Sequence, residues 1–221
     1  MQFDEHGLLP VVAQDHLTGE IRMVAFANEQ AVQLTLSTGR ATFWSRSRAE
    51  LWEKGRTSGN SMDVTAVLVD CDADCLLYLV APAGPTCHTG RPSCFFRRAT
   101  LEDGQVRVSD DEVPAPTLLG RLEAVLEARQ GATAKASYAK SLYDAGAAKI
   151  GEKLREEAGE LACAVADEPD DRVVSEAADV LFHVMVALRS RGIGLGDVLK
   201  ELHRRTGTSG HDEKRSRPST G

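Results

Sequence analysis

Three thiols and three carboxylates fall within a 25-residue stretch of this 221-residue chain. Asp70-Cys71-Asp72-Ala73-Asp74 interleaves oxygen ligands with a sulfur, and Cys87 and Cys94 follow inside CHTGRPSC. Thiolates select zinc, whereas carboxylates select magnesium or calcium. Three protein ligands leave zinc a fourth position for water, the catalytic arrangement. Zinc lowers the pKa of bound water from about 15.7 to about 7, so a hydroxide that attacks an electrophilic carbon is available at neutral pH. His88, beside Cys87, is either the proton shuttle or a further group around the zinc. Other readings stay open: an acidic cluster is often a solvated turn, and a cysteine is often a small core residue. Cys75 breaks the ligand spacing and is expected in the core.

A second chemical stretch is Phe43–Ser61, FWSRSRAELWEKGRTSGNS. Arg46 and Lys54 supply charge, and Thr57-Ser58-Gly59-Asn60 offers hydroxyls and backbone N–H groups suited to a phosphate. Trp44 and Trp52 read either as base-stacking rings or as core. A third lies in REEAGE, where Glu156, Glu157 and Glu160 are three or four apart and crowd one helix face. Glu176 and Asp179 repeat that spacing on the next helix. Like charges so placed repel unless something positive sits between them. Two such helices side by side make an oxygen-lined magnesium site, which would bind polyphosphate. The alternative is a pair of solvated faces. Asp179 argues against it, because EAADVLFHVMVAL is almost wholly apolar and a carboxylate in a core needs a partner.

The elements that must position these groups change period near residue 114. Before it, strands are expected at Leu9–Gln14, Ile21–Phe26, Ala41–Ser45, Val64–Val69 and Leu76–Val80, punctuated by Thr18-Gly19 and Glu102-Asp103-Gly104. One helix, Asn28–Thr38, opens on an Asn28 cap and ends at Gly39. After it, helices are expected over 117–130, 135–145, 147–167, 171–191 and 195–205. Pro114-Ala115-Pro116 reads as a stiff connector. The fold class is therefore two domains: a mostly-β (α+β) unit over 1–113 and an all-α helical unit over 117–206. If the chain stays extended after Val69, Asp70, Asp72 and Asp74 point one way and Cys71 the other. Residues 207–221 form a basic tail, either frayed or an arm whose Lys214 and Arg217 close over phosphates.

Composition narrows the function classes. A net charge of −7 argues against a general nucleic-acid binder, and 42% apolar content is ordinary for a globular protein. No run of 18 apolar residues is present, so no membrane span is expected. MQFDEHGLLP has neither a secretion-signal nor a transit-peptide pattern, so the expected location is cytoplasmic. Five cysteines, four of them in one window, suit metal binding in a reducing compartment.

LPVVAQD, LWEKGRTSGN, DCDAD and GPTCHTGRPSCFF together resemble phosphoribosyl-AMP cyclohydrolase of histidine biosynthesis, over residues 8–98. The resemblance implies a catalytic zinc on Cys71, Cys87 and Cys94, assembled across a homodimer, and magnesium on Asp70, Asp72 and Asp74. It implies hydrolytic opening of the adenine six-membered ring. SYAKSLYDAG, REEAGEL, SEAADVLFHVMVALRSRGI and the terminal SGHDEKRSRP are similar to phosphoribosyl-ATP pyrophosphohydrolase. That similarity implies magnesium ligands at Glu156, Glu157, Glu160, Glu176 and Asp179, with Glu157 the expected catalytic carboxylate. It also favours a phosphate role for the tail. Arg155 stands where that family usually has Gly, directly before the paired glutamates. Two rivals remain: a helical half that is a general nucleotide pyrophosphatase, and a non-catalytic zinc module fused to a helical dimerisation domain.

Overall fold

The computed structural model describes residues 1–109, 117–131 and 137–206. The chain divides into two compact units, Met1–Thr117 and Leu118–Gly221. The connector Pro114–Pro116 and the tail carrying Lys214 and Arg217 lie outside the described residues.

The first unit contains β1 (Leu9–Asp15), β2 (Ile21–Ala27), α1 (Glu29–Thr38), β3 (Thr42–Ser45), β4 (Glu50–Glu53), β5 (Met62–Val69), β6 (Leu76–Pro82), β7 (Ala99–Glu102) and β8 (Gln105–Val108). Six strands form one sheet in the order β4-β3-β2-β1-β6-β5; β7 and β8 form a separate hairpin. Neighbouring strands are antiparallel except β1 and β6, which run parallel in the centre. β1 alternates buried and half-buried residues along its length, so Leu9, Val11 and Ala13 share one face. They pack with Val32 of α1, Phe43, Met62, Tyr78 and Val80. Each large apolar side chain so buried contributes about 2 kcal/mol. Helix α1 begins as its sequence dictates. The Asn28 side chain accepts the Ala31 N–H, and Gly39 closes the helix in the left-handed region.

Three short strands escape the sequence pattern. β4, ELWE, has exposed glutamates at both ends and only two apolar residues between them. It is a strand because β3 pairs with it from Thr42 to Ser45. β7 and β8 flank the Asp103-Gly104 turn, where both residues take positive φ, the conformation that two-residue hairpins favour.

The second unit contains α2 (Leu118–Gln130), α3 (Tyr138–Asp167), α4 (Asp170–Ser190) and α5 (Leu195–Thr206). Leu126, Leu142, Ile150, Met185 and Val186 form its core. The expected helices 135–145 and 147–167 are two limbs of α3, joined at Gly146 (φ 82°, ψ 180°). That backbone leaves the helical region, so the helix kinks where glycine removes the Cβ penalty. Pro169 then separates α3 from α4 and sets the hairpin that lays their faces together. The Glu123 side chain accepts the Leu195 N–H at 2.7 Å and so ties α5 back to α2.

Candidate active sites

In the β-rich unit, the segment after β5 turns instead of continuing extended. Asp70 Oδ1 accepts the N–H groups of Asp74 and Cys75, both at 3.0 Å, and Ala73 takes φ 62°. The alternation expected for Asp70 to Asp74 is therefore corrected: a tight β5–β6 turn, not a pleat, gathers the acids. Asp70, Asp72 and Asp74 still offer oxygens within 4.8 Å of one another. Their crowding divides them. The Cys75 N–H, foremost, holds Asp70 below the usual carboxylate range, while the hydrogen bond to Asp70, foremost, pushes Asp74 up. A divalent cation would relieve both.

Cys87 and Cys94 meet on the loop after β6. Cys87 is buried, and Thr89 Oγ1 donates to its sulfur at 3.1 Å. Burial works to raise the Cys87 thiol, but hydrogen bonds from Thr89 and Cys94 and the Arg91 charge outweigh it, and the net shift is down. Desolvation and the adjacent Cys87 push Cys94 up to about 11. The adjacent sulfurs therefore differ in acidity, Cys87 below the usual thiol range and Cys94 above it, and a soft cation would favour the thiolate form of both. They line a cleft of about 440 Å³ together with His88, Thr89, Phe96 and Arg97. His88 is exposed, with Nδ1 3.9 Å from the Cys87 sulfur. Cys71 stays apart. Among the described residues, no group of three ligand atoms within 4.8 Å contains the three cysteines. Cys75, expected in the core, is only half-buried.

The loop carrying Cys94 is clamped to β2. Cys94 N–H donates to Arg22 O at 2.8 Å, and Ser93 Oγ donates to Ile21 O at 2.7 Å. The Arg22 guanidinium pairs with Asp15 and Glu20, each at 2.7 Å. Sequence reading assigned Arg22 nothing. No local spacing announces it, because its partners lie across a hairpin and on the far loop.

The phosphate-type stretch folds into a second cleft of about 420 Å³, lined by Arg48, Lys54, Gly55, Arg56, Thr57 and Ser58 among others. Lys54 is buried and donates to Asn60 O at 3.2 Å. Desolvation lowers its pKa, while the neighbouring Cys94 and Cys87 sulfurs work against that shift. Arg46 does not line this cleft; its guanidinium lies 3.9 Å from the Phe26 ring centroid. Gly59 has φ 77°. Gly55 has φ 85°, and a Cβ there would stand 2.3 Å from Ser61 N. Gly55→Ala is therefore expected to spread the loop, lowering ring-opening kcat/KM about 100-fold with pyrophosphate release retained, checked by separate assays of the two steps.

In the helical unit the α3–α4 hairpin brings Glu157, Glu176 and Asp179 within 4.8 Å. Glu157 and Glu176 are buried, whereas Asp179 is exposed. The expectation that Asp179 is the core carboxylate is corrected: the apolar stripe of α4 faces elsewhere, and Glu176 is the buried acid. Positive charge does lie among these acids. Lys153 Nζ is 3.0 Å from Glu157 and 2.9 Å from Glu156, and Arg172 is 2.6 Å from Glu176. Glu156 is turned toward Lys153 and is not part of the three-acid group. Glu160 adjoins Glu176, and desolvation, then the charges of Glu157, Glu176 and Glu156, push its carboxyl up. Arg155 is exposed, with Nη1 beside Gly151. No described helix is long and apolar enough to cross a membrane.

Comparison with known proteins accounts for both units. Residues 23–96 match the phosphoribosyl-AMP cyclohydrolase family and residues 119–206 the phosphoribosyl-ATP pyrophosphohydrolase family. Several curated relatives carry the name histidine biosynthesis bifunctional protein HisIE. That of Wolinella succinogenes is 41% identical over 98% of this chain and 96% of its own length. That of Thermus thermophilus is 42% identical over 93% of this chain and 92% of its own length. That of Bacillus subtilis is 38% identical over 93% and 94%. With both family regions present in one chain, and relatives matched almost end to end, this protein belongs to the bifunctional histidine-biosynthesis enzymes that catalyse the pyrophosphohydrolase and cyclohydrolase steps in succession.

Proposed function

We propose that the two hydrolyses use different metals held by different units. In this reading residues 117–206 release pyrophosphate from phosphoribosyl-ATP with magnesium. Residues 1–113 then open the adenine ring of phosphoribosyl-AMP with zinc. The observation that carries the reading is the segregation of donors among the described residues: Cys87 and Cys94 pair on the loop after β6, and the three-acid group that contains buried carboxylates lies on the α3–α4 hairpin.

The thiol pair suits zinc, because Cys87 is already held toward thiolate and Thr89 satisfies its sulfur. A bound zinc supplies a Lewis acid that acidifies water near neutral pH. Cys71 completes the set from the second chain of a homodimer; its separation from Cys87 and Cys94 supports that arrangement. Asp70, Asp72 and Asp74 hold magnesium in the same unit. Lys54, Thr57, Ser58, Gly59 and Asn60 bind the substrate phosphate, with Arg48 and Arg56 on the same cleft wall. Arg46, Lys214 and Arg217 are assigned to substrate binding as well. His88 moves the proton that ring opening requires; its exposure beside Cys87 leaves it open to a substrate.

In the helical unit Glu157, Glu176 and Asp179 hold magnesium, with Glu156 and Glu160 at its margin. A bound magnesium supplies charge neutralisation for a polyphosphate. Glu157 orients the attacking water. The enzyme is cytoplasmic and makes no use of nucleic acid.

The test is an assay of the purified protein on phosphoribosyl-ATP, with zinc and magnesium varied independently. A zinc-selective chelator is expected to abolish ring opening and leave pyrophosphate release within twofold of the untreated rate, about 0.4 kcal/mol at most. Ring opening that survives complete zinc removal would overturn the assignment. Equal turnover of ordinary deoxynucleoside triphosphates would instead favour a general pyrophosphatase.

A further inference from the structure

A buried histidine lies against the acidic cluster of the helical unit, and the site as described does not use it. His183 is 3% exposed and sits on α4, one turn after Asp179. Its Nδ1 is 2.8 Å from the Asp179 carbonyl oxygen and 3.8 Å from Glu157 Oε1. Its Nε2 is 2.9 Å from the hydroxyl of Tyr138, on the first limb of α3. A carbonyl oxygen only accepts, so Nδ1 carries a hydrogen and donates it to Asp179, while Nε2 makes the hydrogen bond with the phenol. Phe182 flanks both rings, stacked at 6.1 Å from Tyr138 and edge-on at 5.3 Å from His183. Tyr138 itself is 51% exposed.

We propose that Tyr138 and His183 form a positioning pair for the pyrophosphohydrolase step. The phenol fixes the imidazole, and the imidazole fixes the Asp179 turn of α4 against Glu157. The chemistry explains why both partners are needed. The Asp179 and Glu157 carboxylates approach from opposite helices and repel each other, so a divalent cation is bound well only if their geometry is set beforehand. A side chain bonded to the backbone of one ligand-bearing turn and lying beside the other carboxylate does that. The Asp179 carbonyl holds one side of the His183 ring, and the Tyr138 hydroxyl, delivered from before the Gly146 kink, holds the other. Partners of this kind change metal affinity about 10-fold or more when lost. The proposal rests on the reading that Glu157, Glu176 and Asp179 hold a divalent cation.

The test uses the full chain with manganese(II) as probe, since manganese shares magnesium's oxygen-ligand geometry. Asp72→Asn is introduced throughout to weaken the carboxylate cluster of the other unit. Bound manganese is read by electron paramagnetic resonance, and manganese activation of pyrophosphate release is followed in parallel. Tyr138→Phe, which keeps the ring and its stacking, is expected to weaken manganese binding about 10-fold, with kcat at saturating metal changed less than twofold. His183→Asn, which keeps a donor near Nδ1 but loses Nε2, is expected to match it. The double variant is expected to be no worse than either single change, because both break one linkage. Unchanged manganese binding in Tyr138→Phe, or additive losses in the double variant, would overturn the pair. Glu176→Gln separates this from the parent reading. If it retains full manganese binding, the cation site itself is wrong; if it loses binding while Tyr138→Phe does not, only the positioning pair fails.

Discussion

Cys94→Ala is expected to abolish ring opening, by about a thousandfold or more, while pyrophosphate release from phosphoribosyl-ATP proceeds at its normal rate. A metal supplies several kcal/mol of stabilisation to such a hydrolysis, and each 1.4 kcal/mol is about a factor of ten. The loss should be specific because Cys94 is held by its backbone. Its N–H bond to Arg22 O and the neighbouring Ser93 bond to Ile21 O do not need the thiol. Removing the sulfur also takes from Cys87 one of the interactions that hold its thiol below the usual range. Zinc measured by elemental analysis should therefore fall in step with activity. Phosphoribosyl-AMP should accumulate, and chromatography of the reaction would show it. A variant that keeps both its zinc and its ring-opening rate would remove the thiol pair from the mechanism.

Glu157→Ala is expected to do the reverse. Pyrophosphate release should drop about a hundredfold or more, while ring opening of supplied phosphoribosyl-AMP stays within twofold. The fold should tolerate the change, for a reason specific to this cluster. Truncating one member of a buried ion pair is costly when it strands the other charge. Lys153 keeps Glu156 at 2.9 Å after Glu157 is gone. Alanine is also the best helix former, and one like charge leaves the Glu157, Glu176 and Asp179 group. Thermal unfolding should consequently move little, and a large fall in the midpoint would show that Glu157 serves the fold before it serves the reaction.

The two variants together test whether the units act separately. Each unit has its own core, one centred on Val11, Phe43 and Tyr78, the other on Leu126, Ile150 and Val186. Loss of both activities from either single substitution would contradict independent sites.

Local pattern and donor type were legible in the chain itself. The Asn28 cap, the Gly39 stop, the strand expected at Leu9–Gln14 and the helical period after residue 117 all follow from contacts within four residues, and the structure has them. So do the sulfur and oxygen donors, because ligand preference belongs to residue type. The family resemblance carried the substrates, which no spacing could.

Only the tertiary structure decided how those donors meet. The acids at 70–74 converge because Asp70 caps its own turn, whereas the extended reading converged them by pleat. Glu176, not Asp179, is buried because the packing of α4 on α3 selects the inward face, and the nearly continuous apolar run around Asp179 leaves that rotation undetermined in the sequence. β4 exists by virtue of β3, and Arg22 reaches Cys94 across 72 positions of chain. Tyr138 meets His183 across 45. Periodicity fixes what a residue does to its near neighbours; a contact between distant segments depends on which faces pack, and the chain settles that only by folding.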